Sequence, residues 1–241
     1  MNIKTLLHPS LLAVLLMGCV LPASAATLFF DDFEAYTAGA SIAGNGGWTG
    51  DTQIVAGDST ALGSRVADGF QESGNDTYEI HQDVTGMGGY GLYTITFDAF
   101  ARSYQSPPSE VLPSHNTSIG LDRSASNFLV FWNNARGSDG HGWSFYASNE
   151  TDTGYNTERY IAGYDTPIEL GIQLDTANME MWGIYDFGAG NTGSTAHYSL
   201  TQDMLDGLDQ FTLWMDMRTY TSTPVGGQYV GAQIDNILVE A

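Results

Sequence analysis

Residues 211–221, FTLWMDMRTYT, alternate strictly between two kinds of side chain. Phe211, Leu213, Met215 and Met217 fall on one side of an extended chain, and Trp214, Asp216, Arg218 and Tyr220 on the other. The period recurs in GLYTITFDAFARSY (91–104), where Tyr93, Ile95, Phe97, Ala99 and Ala101 oppose Thr94, Thr96, Asp98, Phe100, Arg102 and Tyr104. In YEIHQDV (78–84), Tyr78, Ile80 and Val84 oppose Glu79, His81 and Asp83. Trp143 and Phe145 oppose Ser144 and Tyr146, while Met179, Met181 and Tyr185 oppose Glu180, Trp182 and Asp186. In each case the first set demands a core.

Extended runs are predicted at 27–34, 53–57, 64–69, 76–84, 91–104, 117–123, 127–133, 142–149, 166–175 and 179–187, followed by the closing pair 211–221 and 232–240. Clusters of Gly, Ser, Asn and Asp separate them, as turns require. One helical turn is predicted, in SLTQDMLDGLD (199–209), with Ser199 or Thr201 as its cap. The expectation is an all-β, two-sheet antiparallel β-sandwich, with SYQSPPSEVLPSHNTS (103–118) as a rim loop.

With 42% hydrophobic residues in 241, the chain can bury a substantial core as one domain, residues 26–241. Residues 1–25 read as a signal peptide: Lys4 is the positive start, LLHPSLLAVLLMG the apolar middle, and Ala23-Ser24-Ala25 the cleavage site. Leu16-Met17-Gly18-Cys19 loosely resembles a lipobox, so lipidation at Cys19 is the alternative to free secretion or a periplasmic location. Cys19 is the only cysteine, which rules out an intrachain disulfide. The formal charge is -21, and past the signal the cations are six arginines. Such a surface repels nucleic acid and anionic lipid.

The opening LFFDDFEAYTAGASIAGNGGWTG, the paired runs IELGIQLDTANMEMWGIYDFG joined at an Asp-Thr-Ala-Asn turn, and the closing GAQIDNILVEA resemble the concanavalin A-like lectin/glucanase jelly-roll superfamily, in particular its secreted bacterial members. The resemblance spans nearly the whole mature chain and implies a jelly-roll fold. That superfamily hosts lectins, carbohydrate-binding modules, glycosidases and polysaccharide lyases, so it leaves the activity open. It also implies that saccharides lie on a concave sheet. It further implies a calcium site joining the two chain ends, with Asp31, Asp32, Glu34 and Asp235 as the acids, and hard oxygen ligands are what calcium takes.

Laminarinase-type members carry Glu-x-Asp-x-x-Glu on one strand, and this chain has no match to it. Glu180 and Asp186 share a face but stand about 20 Å apart at a rise of about 3.3 Å per residue. Any hydrolytic carboxyl pair must therefore be assembled across strands. A lyase needs a Tyr or His base and a group that neutralises a uronate carboxylate. His81, Arg102, Tyr146 and Arg218 have the right types and parity. Against this, the alginate-lyase pattern of Gln-x-His becomes Glu79-x-His81, the other two lyase strands are absent, and an acidic, lysine-free mature chain suits a polyanion poorly.

Sugar recognition needs flat aromatic rings and bidentate polar groups. The second faces of the strands supply both if they converge into one polar-aromatic surface; the competing reading is a solvated face in which Asp216 and Arg218 form a surface ion pair. The saccharide-binding candidates are His81, Asp98, Arg102, Tyr146, Trp182, Trp214, Asp216, Arg218 and Tyr220. Asn133, Asn134, Arg136, Asp139 and His141 are read as rim-loop residues. The expectation is a secreted, monomeric protein that recognises a polysaccharide or glycoconjugate without acting on it. A polysaccharide lyase or atypical glycoside hydrolase is the alternative, and an extracellular structural module the second.

Overall fold

The computed structural model describes residues 25–71, 77–89, 91–101, 114–123, 128–137, 140–148, 156–160, 166–208, 212–220 and 228–241. The strands are β1 (Thr27–Asp31), β2 (Thr49–Gly50), β3 (Ile54–Ser59), β4 (Ser64–Gln71), β5 (Thr77–Asp83), β6 (Leu92–Phe100), β7 (Ser114–Arg123) and β8 (Phe128–Gly137). They continue as β9 (Gly140–Ser148), β10 (Asn156–Tyr160), β11 (Ile168–Asp175), β12 (Glu180–Asp186), β13 (Thr192–Ser194), β14 (Tyr198–Ser199), β15 (Thr212–Tyr220) and β16 (Gln228–Glu240). One short helix, α1 (Gln202–Asp206), is capped by Thr201, whose hydroxyl accepts from the Met204 amide.

Two antiparallel sheets result, as the alternation predicts. The first runs β13-β12-β11-β6-β16-β4-β3, with β1 also on β16 and β14 on β12. The second runs β10-β9-β8-β7-β15-β5-β2. One edge of β16 is shared: β4 pairs with its first half and β1 with its last. The closing runs thus part company, since β15 lies between β5 and β7 in the second sheet and β16 beside β6 in the first.

The core fills the space between the sheets. Tyr93, Ile95, Phe97 and Ala99 of β6, and Leu213, Met215 and Met217 of β15, all point inward as their parity requires. Gly183 on β12 leaves room for the rings of Phe145 and Trp132, which a Cβ there would overlap at 2.7 and 2.8 Å. Trp132 then donates from Nε1 to the Gly171 carbonyl at 2.7 Å, a hydrogen bond that crosses from one sheet to the other. The Asp-Thr-Ala-Asn turn forms as read. Asp175 accepts from the amides of Ala177 and Asn178 and from the Asn178 side chain, and these bonds hold its carboxyl below the usual range.

Candidate functional site

The face of the second sheet that turns away from the core carries two adjacent rows of side chains. The ladders place His81 opposite Trp214, Trp214 opposite Gly120, Gly120 opposite Phe131, and Phe131 opposite Tyr146. Gly120 has no side chain, so the indole of Trp214 reaches Phe131 edge-on at 5.5 Å. Phe131 in turn stacks on Tyr146, at 4.8 Å and 5° between planes. The row is a continuous aromatic ridge across β15, β7, β8 and β9.

Two residues along each strand lies the second row, in which Glu79 faces Asp216, Asp216 faces Ser118, Ser118 faces Asn133, and Asn133 faces Ser144. Asn133 donates from Nδ2 to the Ser118 hydroxyl at 2.9 Å. Asp216, Ser118, Asn133 and Ser144 are all buried, although they lie outside the core between the sheets. Burying such groups costs free energy unless they are satisfied, so a layer kept only for packing has no use for four of them in line. Polar groups that break the packing rule concentrate at functional sites.

At the β5 end the face opens. His81 and Glu79 are partly exposed there, with 3.9 Å between His81 Nε2 and Glu79 Oε2. Glu79 is clamped through its backbone: its amide donates to Asp51 Oδ2 at 2.9 Å, and its carbonyl accepts from the Asp51 amide at 2.8 Å. Between them Gly50 adopts φ 123°, and a Cβ there would strike the Glu79 carbonyl.

Sequence parity placed His81, Tyr146, Trp214 and Asp216 correctly on one face, but the single surface expected of all nine residues does not form. Asp98 and Trp182 project from the other sheet, on its own outer face. There Trp182 stacks on His197 at 4.3 Å, and His197 Nδ1 lies 2.9 Å from Glu180 Oε2. Asp98 accepts from Asn236 Nδ2 at 2.7 Å. Parity within a strand says nothing about which sheet the strand joins, and that is why the two were misgrouped. Arg218 and Tyr220 have their backbone in β15 while their side chains lie outside the described residues, as does Arg102 entirely. Trp214 departs from the picture of an open platform, because only 6% of it is exposed. Asp216 is 1% exposed, so it does not lie on the solvated face of the competing reading.

Phe131, Ser118 and the gap at Gly120 escaped the sequence reading, although their alternation along 117–123 and 127–133 was available. Asn133 and Asn134 are not rim-loop residues: both are buried in β8, on opposite faces. Arg136 and His141 have strand backbones and side chains outside the described residues, and Asp139 lies outside them too.

The four acids expected at calcium do not converge. Asp31 Oδ1 accepts from the Phe33 amide, and Oδ2 accepts from the Tyr36 hydroxyl at 2.6 Å and Trp48 Nε1 at 2.8 Å. Asp32 accepts from the Glu34 amide. Glu34 and Asp235 do approach each other across the start of β4, where Glu34 accepts from the Arg65 amide and Asp235 from the Ser64 hydroxyl and the Asn236 amide. Burial pushes the Asp235 carboxyl up, with Asp98 and Glu34 adding to the shift against its hydrogen bonds. Two carboxylates already bonded to protein donors fall short of the six to eight oxygens calcium takes. Among the described residues no group of three or more His, Cys, Asp or Glu is placed to hold a metal ion.

No protein-family model matches the chain, and no curated protein sequence matches it. Solved structures do. The CBM2 module of the evolved Dit of Lactobacillus casei BL23 phage J-1 aligns with a TM-score of 0.58 at 8% identity, covering 90% of this chain and 95% of that one. An endo-1,3-beta-glucanase from Streptomyces sioyaensis gives 0.55 at 12%, covering 91% and 97%. Peanut lectin gives 0.52 at 7%, covering 91% and 98%. At such identities the likeness is one of fold.

Proposed function

On the concanavalin A-like jelly-roll fold that this chain has, we propose that the outer face of the β10-to-β2 sheet recognises a saccharide. The observation that carries the reading is the pairing of an aromatic row, Trp214–Phe131–Tyr146, with a parallel polar row, Asp216–Ser118–Asn133–Ser144. Pyranose rings present apolar C–H faces and hydroxyl edges, and the two rows offer a surface for each. Supporting it, a lectin and a glucanase are among the proteins that share the fold. Access is from the margins, where Tyr146 at one end and His81 and Glu79 at the other are only partly buried.

The acidic chain favours neutral saccharides over uronate or sulfated polymers, whose charge it repels. The signal-like residues 1–25 put this recognition outside the cytoplasm, where such polymers occur. The test is retention of the purified protein on immobilised laminarin, lichenan, xylan, galactan and alginate. Retention by a neutral polymer, lost in Tyr146→Ala while that variant still unfolds in one cooperative transition, supports the reading. Retention by alginate alone, or by none, overturns it.

A further inference from the structure

The outer face of the first sheet carries an aliphatic stripe. Phe30 of β1 faces Leu238 of β16, Leu238 faces Thr96, Thr96 faces Gly171, and Gly171 faces Ile184. Gly171 has no side chain and Ile184 leans into its place, since a Cβ there would lie 2.8 Å from Ile184 Cγ1. Thr96 brings the stripe its one side-chain hydroxyl. Phe30 and Leu92 are the exposed large hydrophobics among the described residues, at 53% and 47%. Both belong to this face, because Leu92 shares the parity of Thr94 and Thr96 on β6. Exposed apolar patches rimmed by polar groups mark interaction surfaces.

The rim on one flank is acidic. Asp98 faces Glu169 and Glu169 faces Asp186, two residues along each strand from the stripe. Like charges directly opposite one another destabilise a sheet, so this row costs the free protein stability that a cation would restore. Beside it lies a depression of about 290 Å³ lined by Leu62, Asp98, Pro167, Glu169 and Asp186, open enough to admit a long side chain. No Arg or Lys belongs to the stripe or to the row. Of the six arginines past the signal, Arg123, Arg136, Arg159 and Arg218 have their backbone in the second sheet.

We infer that this face docks a basic polypeptide segment, with apolar side chains on the stripe from Phe30 to Ile184 and Arg or Lys side chains on Asp98, Glu169 and Asp186. Charge complementarity chooses a cationic partner and sets its register. Arg and Lys also carry apolar stems, which suit a depression walled by Leu62 and Pro167 beside carboxylates. An aliphatic stripe seats apolar side chains, whereas the hydroxyls of a cationic saccharide would meet only Thr96 along it. A second copy of this chain would set acid against acid and bring a formal charge of -21 to a surface of the same sign. The saccharide face lies on the other sheet, so the two sites stand or fall separately.

The experiment titrates labelled synthetic peptides with the full purified chain and follows fluorescence anisotropy. The probes are a peptide alternating Arg and Leu, one of Arg alone, one alternating Glu and Leu, and a chitosan oligomer. The Arg-Leu peptide is expected to bind at least about 10-fold tighter than each of the others, because it alone meets both the stripe and the row. Phe30→Ser and Glu169→Lys should each weaken it about 10-fold. Both positions are exposed, and the second change relieves the repulsion in the row, so neither acts by unfolding the chain. Asp83→Lys, the same charge reversal at an exposed acid of the second sheet, should leave the affinity within about twofold. Failure of the Arg-Leu peptide to bind, equal losses in Glu169→Lys and Asp83→Lys, or full affinity in Phe30→Ser overturns the site. Tighter binding of the chitosan oligomer also overturns it, by making the occupant a cationic saccharide. So does self-association of the free chain that Phe30→Ser abolishes, which would make the occupant a second copy.

Discussion

The indole of Trp214 meets the ring of Phe131 edge-on at 5.5 Å, although their strands are not neighbours. β7 runs between them, and contributes Gly120 at that level. A Cβ at 120 would lie 2.6 Å from both Cα and Cβ of Phe131 and would strike the Val130 carbonyl, and backbone atoms of a central strand cannot swing aside. Gly120→Ala is therefore expected to destabilise the protein by about 3 kcal/mol or more. Urea unfolding measures this; a loss under about 1 kcal/mol would mean the ridge tolerates a spacer.

Trp214 and Tyr146 belong to the same ridge but predict different phenotypes. Trp214 is nearly enclosed, so Trp214→Ala opens a cavity and costs about 3 kcal/mol along with any ligand affinity. Tyr146 is only partly buried and contributes one face of a stack, so Tyr146→Ala costs about 1 kcal/mol while removing a ring from the ligand surface. Melting curves and retention assays on both variants separate the two effects. Equal destabilisation would show that Tyr146 is as much a packing residue as Trp214.

The fold was readable in the sequence because two-residue alternation states which side chains face inward, and β6 and β15 obey it at each described position. The Asp175–Asn178 turn and the Thr201 cap were readable for the same reason: each is local chemistry between residues close in the chain. The site was only half readable. That Trp214 and Trp182 lie on different sheets depends on strand order, a long-range property that no single run encodes. The Asp31 carboxylate misled in the opposite way. An acid-rich run looks the same whether its oxygens await a cation or already accept from Trp48 and Tyr36.

Across the outer face of the other sheet, Asp98 faces Glu169 and Glu169 faces Asp186. Burial pushes the Glu169 carboxyl up from its ordinary 4.5, and the charges of Asp98 and Asp186 push it the same way. A raised folded-state value means that the folded chain holds this proton more tightly than the unfolded one. The contribution of Glu169 to stability therefore falls as pH rises past 4.5 and is least favourable above the folded-state value. Glu169→Gln should raise the melting temperature at pH about 7 by about 1–2 °C, a modest gain because the group is solvent-screened, and should give no gain at pH about 3. A gain that is the same at both values would assign the effect to packing instead.

Glu34 and Asp235 remain the two acids drawn together near the chain ends, each held by protein donors. Since these hydrogen bonds already organise the corner, removing divalent ions with a chelator should leave the melting temperature within about 1 °C of its value in calcium. A specific ion bound at a hundred times its dissociation constant adds about 2.7 kcal/mol, several degrees for a domain of this size. A chelator-dependent drop of that order would establish a cation at this corner.

Asp31 supplies the sharpest test of how the opening segment is fixed. Its Oδ2 accepts from both the Tyr36 hydroxyl and the buried Trp48 indole, so replacing that oxygen by an NH2 group sets a donor against two donors. Asp31→Asn should destabilise the protein by about 2–3 kcal/mol, the scale for leaving buried polar groups unsatisfied and for losing a charged acceptor. The phenolic proton reports on the same contact. Burial first, then the hydrogen bond to Asp31 and the charges of Asp31 and Asp32, push the Tyr36 hydroxyl above the ordinary tyrosine range. Removing the charge at 31 should bring its titration back down, seen as tyrosinate absorbance at lower pH than in the parent protein. Both effects should be the same with calcium and with chelator. A loss confined to calcium-containing buffer would return Asp31 to the role of metal ligand that the sequence suggested.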